Sequence, residues 1–443
     1  MLNDTIVAIS TGLNNNAISI IRMSGKDSIN IINKIFNKDL GSVNSHTIHY
    51  GYIYDNEEVI DEVLVNVFRA PKTFTREDVI EINAHGGIYT TKYILSLLIK
   101  NGARLANPGE FTQRAYLNGR IDLTQAEAIN DLINAGSDSD RKLAIQGMRG
   151  SIQDIIDPFI KDILDIIANI EVNIDYPEYE DIEELTNDKL LPLVNTWLNR
   201  MDVILSKARS GKLVKEGIKT AIVGKPNAGK SSLLNALLEE DKAIVSNIEG
   251  TTRDIVEGYI VLNDLKLNLL DTAGIRDSDN EIEKIGIQRS IKAIEDADLI
   301  LLVIDSTKGM LDDDLILMDM AKDKNLIVVY NKCDLVQSLD NDKIYIDAKN
   351  GDIDRLLDKI HSLFDEHMFV LKEPTLNNER HIGLLMKAKQ AMLRAKVSLD
   401  NLVEVDLVEI DIQEAYSALK EISGIVSRDD LLDTLFTNFC LGK

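Results

Sequence analysis

The stretch "AIVGKPNAGKSSLLNALL" (221–238) decides how the middle of the chain folds. Its centre, "GKPNAGKS" (224–231), fits the pattern G-x-x-x-x-G-K-[ST], with an apolar strand-like run before it and a helix-like "SLLNALL" after it. That context separates a phosphate-binding loop from an ordinary glycine turn. Gly224 and Gly229 free backbone N–H groups to surround phosphate oxygens, Lys230 brings charge to the terminal phosphates, and Ser231 offers a hydroxyl to magnesium.

Further strand ends carry the matching motifs. "DTAG" (271–274) follows the apolar "LNLL" and sets Asp271 near magnesium and the Gly274 amide near the last phosphate. "NKCD" (331–334) follows "LIVVY", and Asp334 can accept two parallel hydrogen bonds from the ring N–H and amino group of guanine, a donor pair that adenine lacks. The base is therefore guanine. "DAKNG" (347–351) stands in the place of the last guanine motif, with Asp347 where serine is usual, and Cys333 is expected to be a small buried filler. In Ras-like switches a glutamine after the DxxG glycine orients the attacking water. Here Ile275 follows Gly274, and an apolar side chain cannot do that work. "EIEKIG" (281–286) offers two carboxylates, Glu281 and Glu283, between which the residues alone do not choose.

Outward from this centre the periodicity changes three times. Residues 1–119 alternate strand-like and helix-like stretches; in "EVLVNVF" (62–68), Val63, Val65 and Val67 share one face at period two. Over 120–214 the apolar spacing is helical: Ile152, Ile155, Ile156, Phe159, Ile160, Ile163 and Ile167 form one stripe, with Pro158 inside it as an expected bend. Residues 217–367 return to buried strands followed by helices, in "KTAIVG", "LNLLDTAG", "LILLVID" and "LIVVYNKCD". The chain is helical again over 372–443, where "SRDD" (427–430) resembles a capping box ahead of "LLDTLFTNF". The expected fold class is multidomain α/β plus all-α, with a Ras-like P-loop G domain (217–367) inserted in a helical domain (120–214 and 372–443) behind a mixed α/β domain (1–119); two separate helical bundles fit the same order.

Composition narrows the function classes. The 443 residues are 44% apolar, enough for two or three cores. Net charge is −24, so phosphate backbones are repelled over most of the surface, and 5% aromatics leave little for a base-stacking platform. A nucleic acid must be met locally or through a partner. Two cysteines exclude a disulfide framework and fit a reducing compartment. No apolar run of spanning length and no secretory leader is read, so a cytoplasmic protein without a membrane partner is expected. Cys440 in "TNFCLGK" (437–443) is not read as a lipid anchor, because Gly442 and Lys443 fill the positions that a prenylation box gives to aliphatic and small residues.

Outside the G domain, "DTIVAIS" (4–10), "SIIRMSG" (19–25), "TFTREDVIEINAHGG" (73–87), "NPGEFTQRAYLNGRIDLTQAEAINDLI" (107–133), "LKEISG" (419–424) and "FCLGK" (439–443) resemble the MnmE (TrmE) family of tRNA-modification GTPases. The resemblance covers essentially the whole chain. It implies a folate-binding and dimerisation domain at residues 1–119, a helical domain, and an inserted G domain. It implies GTP contacts along Asn227, Ala228, Gly229, Lys230, Ser231 and Ser232, and along Asp271, Thr272, Ala273 and Gly274, with Asn331, Lys332 and Asp334 for the base. The switch segment "SNIEGTTRD" (246–254) adds Ser246, Asn247, Ile248, Glu249, Gly250, Thr251 and Thr252.

A potassium ion in place of an arginine finger is implied at Asn227, Ser246, Ile248 and Thr251, magnesium at Ser231 and Thr252, and a water-positioning role for Glu283. A fixed cation beside the phosphates neutralises charge that develops in the transition state. Folate contacts are implied at Arg22, Glu81, Arg120 and Lys443, with Cys440 near the reacting carbon or the flavin partner. Glu81 suits the paired donors of a pterin, and the arginines suit folate carboxylates. Arg120 stands where lysine is common, and "GLNNN" (12–16) replaces a Gly/Pro-rich loop.

The implied activity adds an aminomethyl-type (carboxymethylaminomethyl) group to the wobble uridine of certain tRNAs, with 5-formyltetrahydrofolate or methylenetetrahydrofolate supplying carbon. The implied partners are a second copy in a homodimer and an MnmG (GidA)-type flavoprotein carrying FAD and using NADH, in a heterotetramer or larger assembly. The rival reading is a ribosome-assembly or signalling GTPase switch with no covalent product. The G-domain motifs fit both; the N-terminal stretches and "FCLGK" fit only the first.

Overall fold

Alternation in the first 105 residues builds six strands: β1 (Ile6–Ile9), β2 (Ile18–Ser24), β3 (Thr47–Asp55), β4 (Glu58–Phe68), β5 (Val79–His85) and β6 (Arg104–Leu105). They form one sheet in the order β3-β4-β5-β2-β1-β6, antiparallel except between β1 and β6. Val63, Val65 and Val67 are buried as their spacing predicts, in a core with Ile29, Ile31 and Ile32 of α1 (Ser28–Ile32) and Ile94, Leu97 and Leu98 of α2 (Ile88–Lys100). These helices cover one sheet face, so Arg22 and Glu81, at alternate positions to the buried residues of β2 and β5, lie on the other.

The computed structural model describes residues 4–175, 187–239, 256–262, 265–270, 291–337, 340, 342–370, 375–425, 435–437, 439 and 442. They divide into two compact units, one from residues 1–134, 147–156 and 416–443, the other from 135–146 and 157–415. The "SRDD" capping box lies outside the described residues.

In the first unit, α3 (Glu110–Leu117) and α4 (Leu123–Ile133) follow the sheet, α4 opening on a capping box between Asp122 and Gln125. Phe111 packs with Ile6, Ala8 and Ala106, while Leu123 and Ala126 pack with Phe436 and Phe439. A buried ion network fixes α3. The Arg114 side chain is only 1% exposed and donates to Asp4, Glu77 and Glu110, while Glu110 also accepts from Arg104 at 2.6 Å and from the Asn107 N–H at 2.8 Å.

The second unit contains parts of α5 (Asp138–Met148) and of the long helix α6 (Ser151–Asp175), the long helix α7 (Asn187–Glu216), and a second sheet. On α6 the predicted stripe is buried, apart from the half-buried Ile155, and the helix continues through Pro158. Trp197 of α7 is fully buried edge-on to Phe159, donating its indole N–H to the Phe159 carbonyl at 3.2 Å.

The second sheet holds β7 (Ile218–Val223), β8 (Val256–Leu262), β9 (Leu265–Leu270), β10 (Leu299–Asp305), β11 (Asn325–Asn331) and β12 (Ile344–Ile346) in the order β12-β11-β10-β7-β9-β8. All pairs are parallel except β8 with β9. Both faces are covered, as buried parallel strands require: α8 (Lys230–Glu239) and the helix Asp354–Val370 lie on one, and Leu317 of the helix Asp312–Met320 on the other. The loops that follow β7, β10 and β11 therefore gather at one sheet edge.

Burial alone would raise the Glu110 carboxyl, but bonds from Arg104, the Asn107 N–H and Arg114 hold it below its ordinary 4.5. A lowered carboxylate stabilises the fold above its unfolded pKa, and that contribution disappears as pH falls through the folded value. Glu110→Ala should destabilise the first unit by about 3–5 kcal/mol at neutral pH by leaving buried Arg114 short of a partner, and should flatten the loss of stability below pH 4.5. Hydrogen exchange of residues 4–134 with pH checks this; wild-type protection in the variant would show that the network contributes nothing.

Candidate functional site

The phosphate loop leaves β7 at Val223, between β10 and β9. Gly224 and Gly229 have φ of +143° and +99°, and a Cβ would stand 2.3 Å from the Val303 carbonyl oxygen at the first and 1.9 Å from Asn331 Nδ2 at the second. Only glycine fits either place. Asn227 is left-handed at φ 64°, a conformation that asparagine tolerates better than most residues.

Asn331 ends β11 with its side chain inside, 3% exposed. Its Nδ2 donates to the Ala228 carbonyl at 3.0 Å, and its Oδ1 accepts from the Ala348 N–H at 3.1 Å. One carboxamide thus joins the phosphate loop to the last guanine motif. Asp347, where serine is usual, caps its own turn by accepting from the Lys349 and Asn350 N–H groups and from Asn350 Nδ2. Lys332, also left-handed, donates to the Asn227 carbonyl at 2.8 Å and to Asp305 Oδ2 at 2.6 Å. Burial would raise Asp305, yet Lys332 and Thr307 hold it below its ordinary value. Sequence reasoning missed Asp305, although it ends the "LILLVID" strand.

Lys230 donates to the carbonyls of Gly224 and Lys225, both at 2.8 Å, and burial lowers its pKa. Phosphate oxygens arriving there would take over those donors and favour its charged form. Asp334 is exposed in the turn Cys333–Leu335, free for a base edge to reach. Cys333 is half-buried rather than the expected buried filler, its thiol pushed up by burial and by Asp347, Asp352 and Asp334. The correction follows from its place in a surface turn instead of a strand. Ala228 is buried, and Ser231 and Ser232 open α8 half-buried. Of the magnesium set only Ser231, and of the potassium set only Asn227, is described; 246–252, 271–274, Glu281 and Glu283 lie outside the described residues.

In the first unit Arg22 and Glu81 are cross-strand partners on β2 and β5, and Arg22 Nε and Nη2 each lie 2.8 Å from Glu81 Oε1. Arg22 Nη1 donates to the Gly442 carbonyl at 3.3 Å, which also accepts from Ser10 Oγ at 3.2 Å. Gly442 itself is pressed on β1: a Cβ there would lie 2.5 Å from the Ile9 oxygen. Arg22 stands 5.9 Å over the Phe111 ring, and Arg120 5.1 Å over Phe74, which packs against the same cluster as Phe111. These aromatics and Ser10 were not singled out in advance, though all lie in the quoted stretches. Loop 12–16 reaches residues 86–88, through the Asn16 N–H to the Gly86 carbonyl and the Ile88 N–H to Asn15 Oδ1. Cys440 and Lys443 lie outside the described residues. Among the described residues no helix is long and apolar enough to cross a membrane.

A glycine loop of the G-x-x-x-x-G-K-[ST] pattern between a parallel strand and a helix, tied by the buried Asn331 to the turn at Ala348, defines a P-loop GTP hydrolase. A family model described as the MnmE helical domain matches residues 123–440, and one described as the GTP-binding protein TrmE N-terminus matches residues 5–120. The tRNA modification GTPases MnmE of Streptococcus thermophilus and Streptococcus mutans are 49% and 47% identical to this chain, over 99% of it and 98% and 99% of their own lengths. That of Lactococcus lactis subsp. cremoris is 48% identical over 99% of this chain and 98% of its own. The chain belongs to the tRNA modification GTPase MnmE family.

Asp334→Asn replaces an acceptor of two donors by an amide that can accept only one. GTP affinity should fall about 100-fold, because a site built for a donor pair penalises its mismatch heavily, and xanthosine triphosphate, with an oxygen where guanine has the amino group, should bind better than GTP. Competition titration with both nucleotides checks it; unchanged GTP affinity would remove Asp334 from base recognition.

Proposed function

We propose that this chain is a potassium-activated GTPase which, with an MnmG (GidA)-type flavoprotein, installs a carboxymethylaminomethyl-type group on the wobble uridine of certain tRNAs in the cytoplasm. It works as a homodimer through an N-terminal folate-binding domain (1–119), with a helical domain (120–214 and 372–443) and an inserted G domain (217–367). The rival, a GTPase switch without covalent product, needs no folate pocket.

The observation that carries the reading is the seat of Gly442 on Arg22 and Ser10, next to Glu81. On this reading Cys440 and Lys443, two residues before and one residue after Gly442 in the sequence, belong to the same site as a carboxylate suited to pterin donors and two arginines suited to carboxylates. When bound, the folate supplies the one-carbon unit. Glu81 holds the ring edge, Arg22 and Arg120 hold carboxylates, and Phe74 and Phe111 give the arginines an apolar backing. In the G domain Lys230 and Ser231 hold phosphates and magnesium, Asn227 contributes to the potassium site with Ser246, Ile248 and Thr251, and Glu283 orients water.

Deleting residues 441–443 should abolish folate binding and tRNA modification while leaving potassium-dependent GTP hydrolysis intact. Equilibrium binding and nucleoside mass analysis of tRNA measure the two losses; normal modification by the truncated protein would refute the tail's role.

Hydrolysis should be fast in potassium and slow in sodium at equal ionic strength, and Asn227→Ala should erase the difference. Glu283→Ala should lower kcat by about 10²–10⁴ with GTP affinity nearly unchanged, because a water-orienting carboxylate acts on the transition state. Equal wild-type rates in the two salts would end the potassium assignment.

A further inference from the structure

Beside Glu81 the sheet carries two side chains that the preceding roles leave unused. Asn66 on β4 is the cross-strand partner of Glu81, and Asn83 lies two residues along β5, opposite Leu64 of β4 and Ile20 of β2. Paired residues and residues two apart point to the same sheet face. Asn66, Asn83, Glu81 and Arg22 therefore share the face that α1 and α2 leave free. The Oδ1 atoms of both asparagines are shielded from solvent and have no hydrogen-bond partner among the described residues. Shielded polar atoms are nearly always paired, and leaving one unpaired is unfavourable.

Among the described residues, the side chains directly opposite the two asparagines supply no donor. Ile20 and Leu64 are apolar, and Arg22 directs its three nitrogens to Glu81 and the Gly442 carbonyl. Strands β2, β4 and β5 hold no other lysine or arginine. A carboxylate flanked by two amide oxygens is rich in acceptors, and the ligand that satisfies it must be rich in N–H donors.

We propose that Asn66 and Asn83 are specificity-determining residues that read the remaining N–H donors of a reduced pterin ring held by Glu81. The inference rests on the folate reading above and deepens it. Glu81 takes the ring N–H and one amino hydrogen, which leaves the second amino hydrogen and, in the tetrahydro form, the N8–H. A carboxamide both accepts and donates, so one asparagine can accept N8–H while donating to the neighbouring ring nitrogen N1. In the fully oxidised ring N8 carries no hydrogen, so the pair selects reduced over oxidised folate. Both asparagines are only half-buried as residues, and Leu64 beside them is 42% exposed. Rotation about the soft terminal torsion brings either end of the amide to a ring lying on this face.

The test is equilibrium binding of 5-formyltetrahydrofolate and of folic acid to the full chain and to Asn66→Val and Asn83→Val, chosen because β-branched residues suit strands. Asn66→Ala and Asn83→Ala serve as second variants, circular dichroism and GTP binding verify folding, and Glu81→Ala is the reference. The wild type should bind the reduced ligand at least about tenfold more tightly than folic acid, one lost hydrogen bond being worth about that factor. The variant that lacks the acceptor of N8–H should lose about tenfold on the reduced ligand and little on folic acid, narrowing the ratio, while the other, which lacks the acceptor of the amino hydrogen common to both ligands, should lose about tenfold on each. Folded variants that bind both ligands as the wild type does would overturn the inference and leave the folate reading standing. Equal wild-type affinity for the two ligands would also overturn it, and a wild type that binds neither would overturn both.

Discussion

The carboxamide of Asn331 is the constraint on which the nucleotide site depends. It donates into the phosphate loop at Ala228 and accepts from the turn at Ala348, so two loops 120 residues apart in sequence share one buried residue. Its position leaves no room for a side chain at residue 229, where a Cβ would come within 1.9 Å of Nδ2. The glycine of the phosphate loop is thus required twice, for its backbone angle and for its missing Cβ. The same geometry explains why Asp347 is tolerated in a serine's place. The Ala348 N–H is already committed to Asn331, and position 347 has only to cap its own turn, which a carboxylate does at least as well.

Electrostatics supports this frame at one point. Lys332 is held between the Asn227 carbonyl and Asp305, so the residue implied for the cation and the guanine motif are mechanically one piece. In a chain of net charge −24, three cations at this edge, Lys225, Lys230 and Lys332, are positioned by backbone carbonyls or an aspartate. Ile275 follows the DxxG glycine and cannot direct water, and on the proposed reading the transition-state charge is met by an added cation with a carboxylate orienting the water.

Most of the G-domain sheet was legible in the sequence, because buried parallel strands are apolar throughout and each ends on a motif whose residue types have a physical purpose. The stripe on α6 and the valines of β4 were legible for the same reason, one period each. What could not be read was adjacency between strands distant in sequence. Arg22 and Glu81 are 59 residues apart, and only the placement of β5 beside β2 brings them together. The unpaired oxygens of Asn66 and Asn83 are likewise a property of register, since a shift of one residue would turn both to the covered face. Cys333 is half-buried rather than buried because it lies in the turn beyond β11, outside the strand whose apolar run precedes it. The assignment of residues 135–146 to the second unit, between segments of the first, has no signal in composition or period.

Two carboxylates in this chain suit the same donor pair, one ring N–H beside one amino group, and their settings differ in a way that bears on what each can bind. Asp334 stands exposed on a turn and can meet guanine without giving anything up. Glu81 is already bonded to Arg22, with 23% and 18% of the arginine and glutamate side chains exposed. A ring that takes Glu81 therefore releases a guanidinium, which among the described residues keeps the Gly442 carbonyl but has no second ion-pair partner. The attraction within a largely buried pair is offset by the desolvation of both ions, so the exchange is feasible when the ring satisfies Glu81. It becomes favourable when the ligand brings its own carboxylate as well as its donor edge. On the folate reading, the ion pair selects for a molecule with both features and disfavours a bare heterocycle, which makes Arg22 a determinant of specificity even where it never touches the ring.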